Sequence, residues 1–267
     1  MSGLTHIREK LENGGLVIGT HVQLDSCIAS ELFAEIGYDF IWIDWEHTAL
    51  DRQHILAHTM AVKGKPTAAF VRVPWNVHYL VKPVLDMGVD GIVFPMIRTA
   101  EEARLAVASC EYPPEGTRGY GPIRANRLGL DDSLQYIETN ASRSIWKIMQ
   151  IEHKEGVDNL QEILAVEGVD SIIVGANDLA GSLGRPGRTG DALVQEYLDK
   201  IADVAAKSPI PLGLSTGYSG NVLGEWIERG LQWVSVGSDF SFMAQSASTT
   251  LQEVKSLLEK NSGQVNG

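Results

Sequence analysis

Short β-branched runs alternate with longer amphipathic segments along almost the whole chain, and this alternation restricts the fold more than any other feature. The runs are nearly continuously apolar, as expected of strands that are covered on both faces in a parallel sheet. The strand-like runs are LVIGTHV from Leu16, FIWIDW from Phe40, TAAFVRV from Thr67, GIVFPMI from Gly91, SIWKIMQIE from Ser144, SIIVGA from Ser171, PLGLST from Pro211 and WVSVGSD from Trp233. The helical patterns lie at 26–37, 51–63, 78–88, 99–110, 156–167, 191–207, 219–230 and 241–260.

These eight βα units in 267 residues predict one α/β domain, a (β/α)₈ TIM barrel over residues 1–267, with peripheral ends at about 1–13 and 261–267. An open doubly wound sheet is the alternative, but it usually carries a Gly-rich phosphate turn after its first strand, and none follows Val22. One long irregular segment, about 111–142, follows the fourth helix. A loop of this length predicts a role at an oligomer interface or at the mouth of the barrel.

The composition narrows the choice of partners and compartment. The 34 acidic residues outnumber the 22 basic ones, for a formal net charge of −12. That charge repels nucleic-acid phosphates and anionic lipids, so we expect neither nucleic acid nor a membrane as a partner. Cys27 and Cys110 have no C-x-x-C spacing, which indicates buried thiols in a reducing compartment. No apolar run is long enough for a signal peptide or a membrane span, and we expect a cytoplasmic protein.

Polar residues follow the predicted strands, and in a barrel the active site lies at the carboxyl ends of the strands. The polar residues at these positions are His21, Gln23, Asp44, Glu46, His47, Arg72, Gln150, Glu152, Asn177, Asp178, Ser215, Thr216, Ser238 and Asp239. Glu152 and Asp178 follow adjacent strands and can converge on one hard divalent cation, which prefers oxygen ligands. The alternative is that they are helix N-caps or ion-pair partners.

Asp44 and His47 lie close together in IDWEHT. A carboxylate that accepts a hydrogen bond from one imidazole nitrogen fixes the tautomer and leaves the other nitrogen free as a base. A capped loop with a solvent-facing histidine is the alternative. Arg72 lies inside an apolar strand, where a guanidinium is costly unless an anion pairs with it. It would either neutralise Asp44 or Glu46, or face an enolate or carboxylate oxygen of a substrate.

Other polar residues give weaker signals. His54 and His58 have the spacing of metal ligands on a helix, but the glutamate of H-E-x-x-H is missing, and we expect structural surface residues. Lys147 precedes its strand end, so no lysine is placed for Schiff-base chemistry. The long segment also carries a local basic patch, for which interface ion pairs are the simplest interpretation: Arg118, Arg124 and Arg127.

Several motifs resemble those of the metal-dependent pyruvate aldolases of the HpcH/HpaI family, over about residues 19–239. They are IDWEHT, VRVPWN, VLDMGVDGIVFPMI, YPPEGTRGYG, QIEHKEGVDNL and VEGVDSIIVGANDLAGSLG. The resemblance implies a (β/α)₈ barrel that assembles as a hexamer, with its last helix exchanged between subunits, and that uses Mg²⁺, Mn²⁺ or Co²⁺. It also implies a lyase that makes or cleaves 4-hydroxy-2-oxo acids, giving pyruvate and an aldehyde through a pyruvate enolate held by the metal and Arg72.

Matched position by position, the family pattern implies a role for each residue of the site. The roles are Glu152 and Asp178 as metal ligands, His47 as the base with Asp44 as its orienting partner, Arg72 as the electrophile, Gln150 beside the pyruvyl group, and backbone amides around Gly175 and Asn177 for the pyruvate carboxylate.

Departures from the family pattern lie on the aldehyde side of the site. Heptenedioate aldolases resemble a pattern with tryptophan where this chain has His21, and with proline-alanine where it has Ala176 and Asn177. The IDWEH and RGYGP forms are closer to the macrophomate synthase branch, so an oxaloacetate decarboxylase or enolate-coupling enzyme is the alternative function. A citrate-lyase-like enzyme would favour a basic groove for coenzyme A. A non-enzymatic scaffold protein would be expected to lack some of the polar residues at the strand ends. Here all of them are present: Asp44, His47, Arg72, Glu152 and Asp178.

Overall fold

The apolar runs form the strands of a closed parallel barrel in the computed structural model, which describes residues 3–265. The strands are β1 (Val17–Val22), β2 (Phe40–Asp44), β3 (Ala68–Arg72), β4 (Gly91–Phe94), β5 (Trp146–Ile151), β6 (Ser171–Val174), β7 (Leu212–Thr216) and β8 (Trp233–Ser238). Each strand pairs in parallel with the next, and β8 pairs with β1. The predicted (β/α)₈ barrel is confirmed.

Helices surround this barrel and cover its apolar outer face. They are α1 (Gly3–Glu12), α2 (Cys27–Ile36), α3 (Arg52–Ala61), α4 (His78–Asp86), α5 (Ala100–Cys110), α6 (Ser133–Gln135), α7 (Lys154–Asp158), α8 (Leu160–Leu164), α9 (Ala176–Ser182), α10 (Ala192–Ala205), α11 (Gly220–Glu228) and α12 (Asp239–Val265). The helix expected at 156–167 is divided into α7 and α8, and α9 was not predicted. No helix within residues 3–265 is both long and apolar enough to cross a bilayer.

Helix α1 lies in the segment that we expected to be a peripheral end. Its Leu4 and Ile7 side chains are buried and pack with the residues that fill the barrel at its amino-terminal end. Gly3 lies so close to Ala68, at the start of β3, that a Cβ atom there would overlap its backbone. The helix therefore closes the end of the barrel opposite the strand carboxyl ends.

Aromatic rings fill the inside of the barrel, and glycines on neighbouring strands make room for them. Phe40 stacks on Phe70 with ring centroids 5.1 Å apart, and Trp146 lies 5.5 Å from Trp233. A Cβ atom on Gly213 of β7 would come within 2.2 Å of the Trp233 ring. The interior is thus a packed floor beneath the strand carboxyl ends, as in other barrels of this class.

The long segment after α5 contains only short helical turns: a 3₁₀ turn at Arg127–Gly129, α6, and a π-helical turn at Tyr136–Asn140. Lys147 of β5 anchors the start of this segment to the outside of the barrel, because Lys147 Nζ lies 3.0 Å from Glu111 Oε1. The same Nζ lies 3.2 Å from Oδ2 of Asp170, which directly precedes β6. Lys147 therefore lies away from the strand-end cavity, as expected of a lysine that forms no imine with substrate.

Replacing Gly213 by alanine tests the packed floor. The new methyl group would overlap the buried Trp233 ring, and overpacking of this kind costs about 1–3 kcal/mol of unfolding free energy. We expect urea unfolding, followed by tryptophan fluorescence, to show a lower midpoint for Gly213→Ala. Gly224→Ala is the matched control, since a Cβ atom there meets nothing within 4 Å in helix α11. Equal midpoints for the two variants would contradict the packing.

Candidate active site

The carboxyl ends of the strands surround an open cavity of about 350 Å³. Most of the strand-end residues selected from the sequence line it: His21, Gln23, His47, Arg72, Gln150, Gly175, Asn177, Asp178, Ser215, Thr216 and Ser238. Asp44 and Glu152 are almost completely buried at the same end of the barrel, with 0% and 2% of their surface exposed. The structure therefore assembles the predicted constellation around one cavity.

Asp44 and Arg72 form a buried ion pair because strand register makes them direct neighbours on β2 and β3. Arg72 donates from Nε to Asp44 Oδ1 at 3.0 Å and from Nη2 to Asp44 Oδ2 at 2.7 Å. Burial alone would raise the pKa of Asp44, but these hydrogen bonds and the arginine charge outweigh it and hold the pKa below its usual range. Arg72 Nε also lies 3.2 Å from Glu46 Oε2. Pairing with both carboxylates, one of the sequence alternatives, is therefore observed.

His47 lies at the rim of the cavity, with 57% of its side chain exposed. Asp44 contacts its main chain: the amide of His47 donates to Asp44 Oδ1 at 3.4 Å, and the amide of Glu46 donates to the same oxygen. The carboxylate nearest to the ring that the structure records is Glu46, whose Oε2 lies 3.5 Å from His47 Nε2. We expected Asp44 to orient the His47 ring. Instead, both Asp44 oxygens accept hydrogen bonds from Arg72, and Glu46 is the carboxylate beside the ring.

Glu152 is a buried carboxylate without a cationic hydrogen-bond partner among the contacts recorded for the described residues. Its Oε1 accepts from the amide of Met96 at 2.8 Å, and its Oε2 accepts from Gln150 Nε2 at 2.5 Å. Burial raises the pKa of Glu152 to about 8, and the nearby carboxylates of Glu46 and Asp178 act in the same direction, against the Met96 hydrogen bond and the Arg72 charge, which lower it. This position therefore favours an added positive charge.

Asp178 supplies the second carboxylate, from the first turn of the short helix α9, where its side chain is exposed to the cavity. Two carboxylates of this kind suit a hard divalent cation. Within residues 3–265 no cluster of three His, Cys, Asp or Glu side chains is placed to hold a metal ion. Glu152 and Asp178 would therefore leave coordination positions for water and substrate, so the donor set fits an open catalytic site rather than a closed structural one.

Two features of this centre were not found by sequence reasoning. Met96 has a φ of 57°, in the left-handed region that a methionine rarely adopts, and in this conformation its amide reaches Glu152. Gly175 is needed for space, since a Cβ atom there would lie 2.5 Å from Glu152 Oε2. The Gly175 amide donates to the carbonyl of Ile151, so it is not available to a substrate carboxylate in the way that we expected.

The weaker sequence candidates lie outside the cavity. His58 is fully buried, not on the surface as expected, because its ring contacts Ser30 Oγ at 2.8 Å and the carbonyl of Leu24. His54 completes a capping box with Asp51 at the start of α3. The three arginines of the long segment have separate partners and form no shared site: Arg118 with Asp86, Arg124 with the carbonyl of Met87, and Arg127 with Asp131.

Known proteins with similar sequences include aldolases. A family model described as HpcH/HpaI aldolase/citrate lyase matches residues 18–245. A 5-keto-4-deoxy-D-glucarate aldolase of Escherichia coli O9:H4 (strain HS) is 37% identical over 223 residues, which are 83% of this chain and 86% of that protein. A hydroxypyruvate/pyruvate aldolase of Roseovarius nubinhibens is 34% identical over 247 residues, which are 91% of this chain and 94% of that protein.

Solved structures with a similar fold include a member of this family. An HpcH/HpaI aldolase from Desulfitobacterium hafniense DCB-2 superposes with a TM-score of 0.86 at 28% identity, covering 93% of this chain and 96% of that one. Macrophomate synthase superposes with a TM-score of 0.82 at 22% identity, covering 96% of this chain and 90% of that one. The second likeness shows the fold alone.

Replacing Asp44 by alanine tests the buried ion pair. Removal of one partner leaves the Arg72 guanidinium buried without its bidentate acceptor, which we expect to lower the unfolding free energy by about 3–5 kcal/mol. Urea unfolding measures this difference. The control is Glu101→Ala, which removes an exposed pair with Arg104 and should change stability little. Similar unfolding curves for the two variants would show that the Asp44 pair does not stabilise the fold.

Proposed function

The chain belongs to the HpcH/HpaI aldolase/citrate lyase family, and we propose that it makes and cleaves 4-hydroxy-2-oxo acids, with pyruvate and an aldehyde as the cleavage products. It is a carbon–carbon lyase, like the aldolases that it matches. One observation carries the finer proposal. A buried carboxylate that lacks a cation, Glu152, lies at the same end of the barrel as a guanidinium that is locked in place, Arg72.

Glu152 and Asp178 are the proposed ligands of a divalent cation (Mg²⁺, Mn²⁺ or Co²⁺), which supplies Lewis-acid polarisation of the 2-oxo group when it is bound. Gly175 keeps the space beside Glu152 open, and Gln150 holds Glu152 Oε2 in place. Gln150 lines the cavity next to Glu152, which supports a position for Gln150 beside the pyruvyl group. The pyruvate carboxylate would meet the amides in the first turn of α9, around Asn177.

Arg72 stabilises the enolate that forms when the C3–C4 bond breaks. Asp44 engages Nε and Nη2, so Nη1 is the nitrogen that remains for a substrate oxygen. Because Asp44 fixes the guanidinium before substrate arrives, little reorganisation is needed as negative charge develops on the oxygen at C2. The same pairing keeps the pKa of Arg72 above its usual value, so the group stays charged despite its burial.

His47 is the proposed base for the cleavage step. Its exposed ring at the rim would take the proton of the C4 hydroxyl, directly or through a water, as the C3–C4 bonding electrons move into the enolate. The C4 oxygen then leaves as the aldehyde carbonyl. A proton delivered to C3 completes pyruvate, so atoms and charge balance.

Assembly is a separate part of the proposal. Helix α12 is 27 residues long and exposes apolar side chains along its length: Phe240, Met243, Leu251, Val254 and Leu257. An apolar surface of this kind supports exchange of the last helix between subunits and the expected hexamer.

Oxaloacetate decarboxylation, or enolate coupling of the macrophomate synthase kind, is the second candidate reaction. The exposure of His47 favours it, because loss of CO₂ needs a polarised ketone and a place for enolate charge but no base. The aldol and decarboxylation reactions therefore share Arg72 and differ in their need for His47.

Variants of these two residues separate the reactions. We expect His47→Ala to lower aldol cleavage by a factor of about 10² to 10⁴, the usual contribution of a general base, while largely sparing oxaloacetate decarboxylation. Arg72→Ala should lower both. Pyruvate release from a 4-hydroxy-2-oxo acid and from oxaloacetate measures the two activities, each with Mg²⁺ and with a chelator.

The matched controls are His78→Ala and Arg104→Ala, whose exposed side chains lie outside the cavity. If His47→Ala removed decarboxylation as completely as cleavage, the imidazole would serve the enolate step and its assignment as the hydroxyl base would be wrong. Full cleavage activity in a chelator-treated, metal-free sample would contradict the proposed chemistry.

A further inference from the structure

The cavity has two unlike sides. The strands from β2 to β6, with the residues that follow them, contribute its charged groups, which include Arg72 on β3 and Asp178 in α9. The strands β7, β8 and β1, with the residues that follow them, contribute a different set of side chains to the lining: His21, Gln23, Ser215, Thr216, Ser238 and Ser241. Apart from His21, every member of this set is a hydroxyl or a carboxamide. We call this set the hydroxyl side.

His21, on β1, has a fixed ring within the hydroxyl side. Its ring stacks on Trp42, with centroids 4.6 Å apart and planes 26° apart. Its Nδ1 lies 2.8 Å from the hydroxyl oxygen of Ser235, which is completely buried. Its Nε2 lies 3.5 Å from Ser215 Oγ, at the outer limit of a hydrogen bond. The ring is therefore held by its stacking on Trp42, by Ser235 and by a main-chain hydrogen bond with Gly237, and the contact of Nε2 with Ser215 beside the cavity is a long one.

His21 also adds no charge to this side at neutral pH. Burial lowers the pKa of His21 to about 4, and the nearby Arg72 charge acts in the same direction. Among the described residues that line the hydroxyl side, none supplies a cation. A carboxylate placed there would lose hydration, and the nearby Arg72 is already paired with Asp44 and Glu46, so its binding is costly. A hydroxyl placed there would find donors and acceptors in exchange for water.

This asymmetry limits the part of a substrate that each side can hold. In the proposed reaction the anionic 2-oxo acid end lies beside Arg72 and the cation that Glu152 and Asp178 would hold, so the aldehyde part reaches the hydroxyl side. We propose that His21 Nε2, together with Ser215 Oγ, binds a hydroxyl group of a small, uncharged hydroxyaldehyde. His21 is then a specificity-determining residue for the aldehyde, and this inference rests on the proposed function.

Aldol addition of pyruvate to three aldehydes tests the proposal. D-glyceraldehyde carries two hydroxyls, propanal is the same three-carbon aldehyde without either hydroxyl, and 4-oxobutanoate carries a distal carboxylate. We expect kcat/KM for D-glyceraldehyde to exceed that for each of the other two by roughly tenfold or more, because a site that hydrogen-bonds a substrate hydroxyl rejects analogues without it. Equal values for glyceraldehyde and propanal, or a preference for 4-oxobutanoate, would overturn the proposal.

Variants assign the preference to His21. His21→Phe keeps a planar ring on Trp42 but removes both ring nitrogens, so the glyceraldehyde-to-propanal ratio of kcat/KM should fall about tenfold. His21→Gln retains a donor and an acceptor and should recover part of the ratio. Ser215→Ala should shift the ratio in the same direction as His21→Phe, which keeps the test decisive if the phenylalanine variant does not fold. His78→Phe is the matched control. An unchanged ratio in His21→Phe and Ser215→Ala would contradict the assignment.

A half-reaction distinguishes a failure of the proposed function from a failure of the binding role proposed for the hydroxyl side. Exchange of the pyruvate methyl protons with D₂O, followed by NMR in the presence of Mg²⁺, reports enolate formation without any aldehyde. Absence of exchange in the wild-type enzyme would contradict the proposed function itself. Exchange together with no discrimination among the three aldehydes would contradict only the role of the hydroxyl side.

Discussion

Closure of eight parallel strands is the constraint on which the rest of the molecule depends. Because β8 pairs with β1, all the strand carboxyl ends meet at one mouth, and residues far apart in the chain become neighbours. Register then fixes individual contacts: Asp44 and Arg72 are paired positions on β2 and β3. The aromatic floor beneath this mouth includes Trp42, whose ring centroid lies 5.5 Å from the Arg72 guanidinium carbon. The Asp44–Arg72 ion pair therefore lies against the aromatic side chains that fill the barrel.

The distribution of charge around the cavity explains what each part can bind. Arg72 is paired with Asp44 and Glu46, and Glu152 is a buried carboxylate whose recorded hydrogen bonds come from a main-chain amide and from Gln150, not from a cation. Burial raises the pKa of Glu152 despite the nearby Arg72 charge, and a divalent cation would offset the cost of the buried carboxylate. Beyond these charges the wall becomes neutral around His21. One cavity therefore combines a region suited to an anion and a metal with a region suited to hydroxyls.

Much of this arrangement was predictable, because apolar runs mark buried parallel strands and polar residues at their ends mark the mouth. The sequence left two partners open for the Asp44 side chain, His47 and Arg72, and the register of β2 and β3 is what brings Arg72 to both of its oxygens. The burial of His58 depends on helix α2 covering it, which helical spacing does not reveal. The left-handed Met96 had no signal at all, because methionine has no preference for that conformation.

The central claim is that Glu152 and Asp178 hold one divalent cation at this mouth. Titration of the full chain with Mn²⁺, followed by calorimetry or by electron paramagnetic resonance of the free ion, tests it most directly. The predicted result is one bound Mn²⁺ per chain, with binding strongly weakened in Glu152→Gln and in Asp178→Asn but not in Glu101→Gln, which changes an exposed carboxylate. Mn²⁺ binding that is equally tight in all three variants and the wild type would contradict the claim.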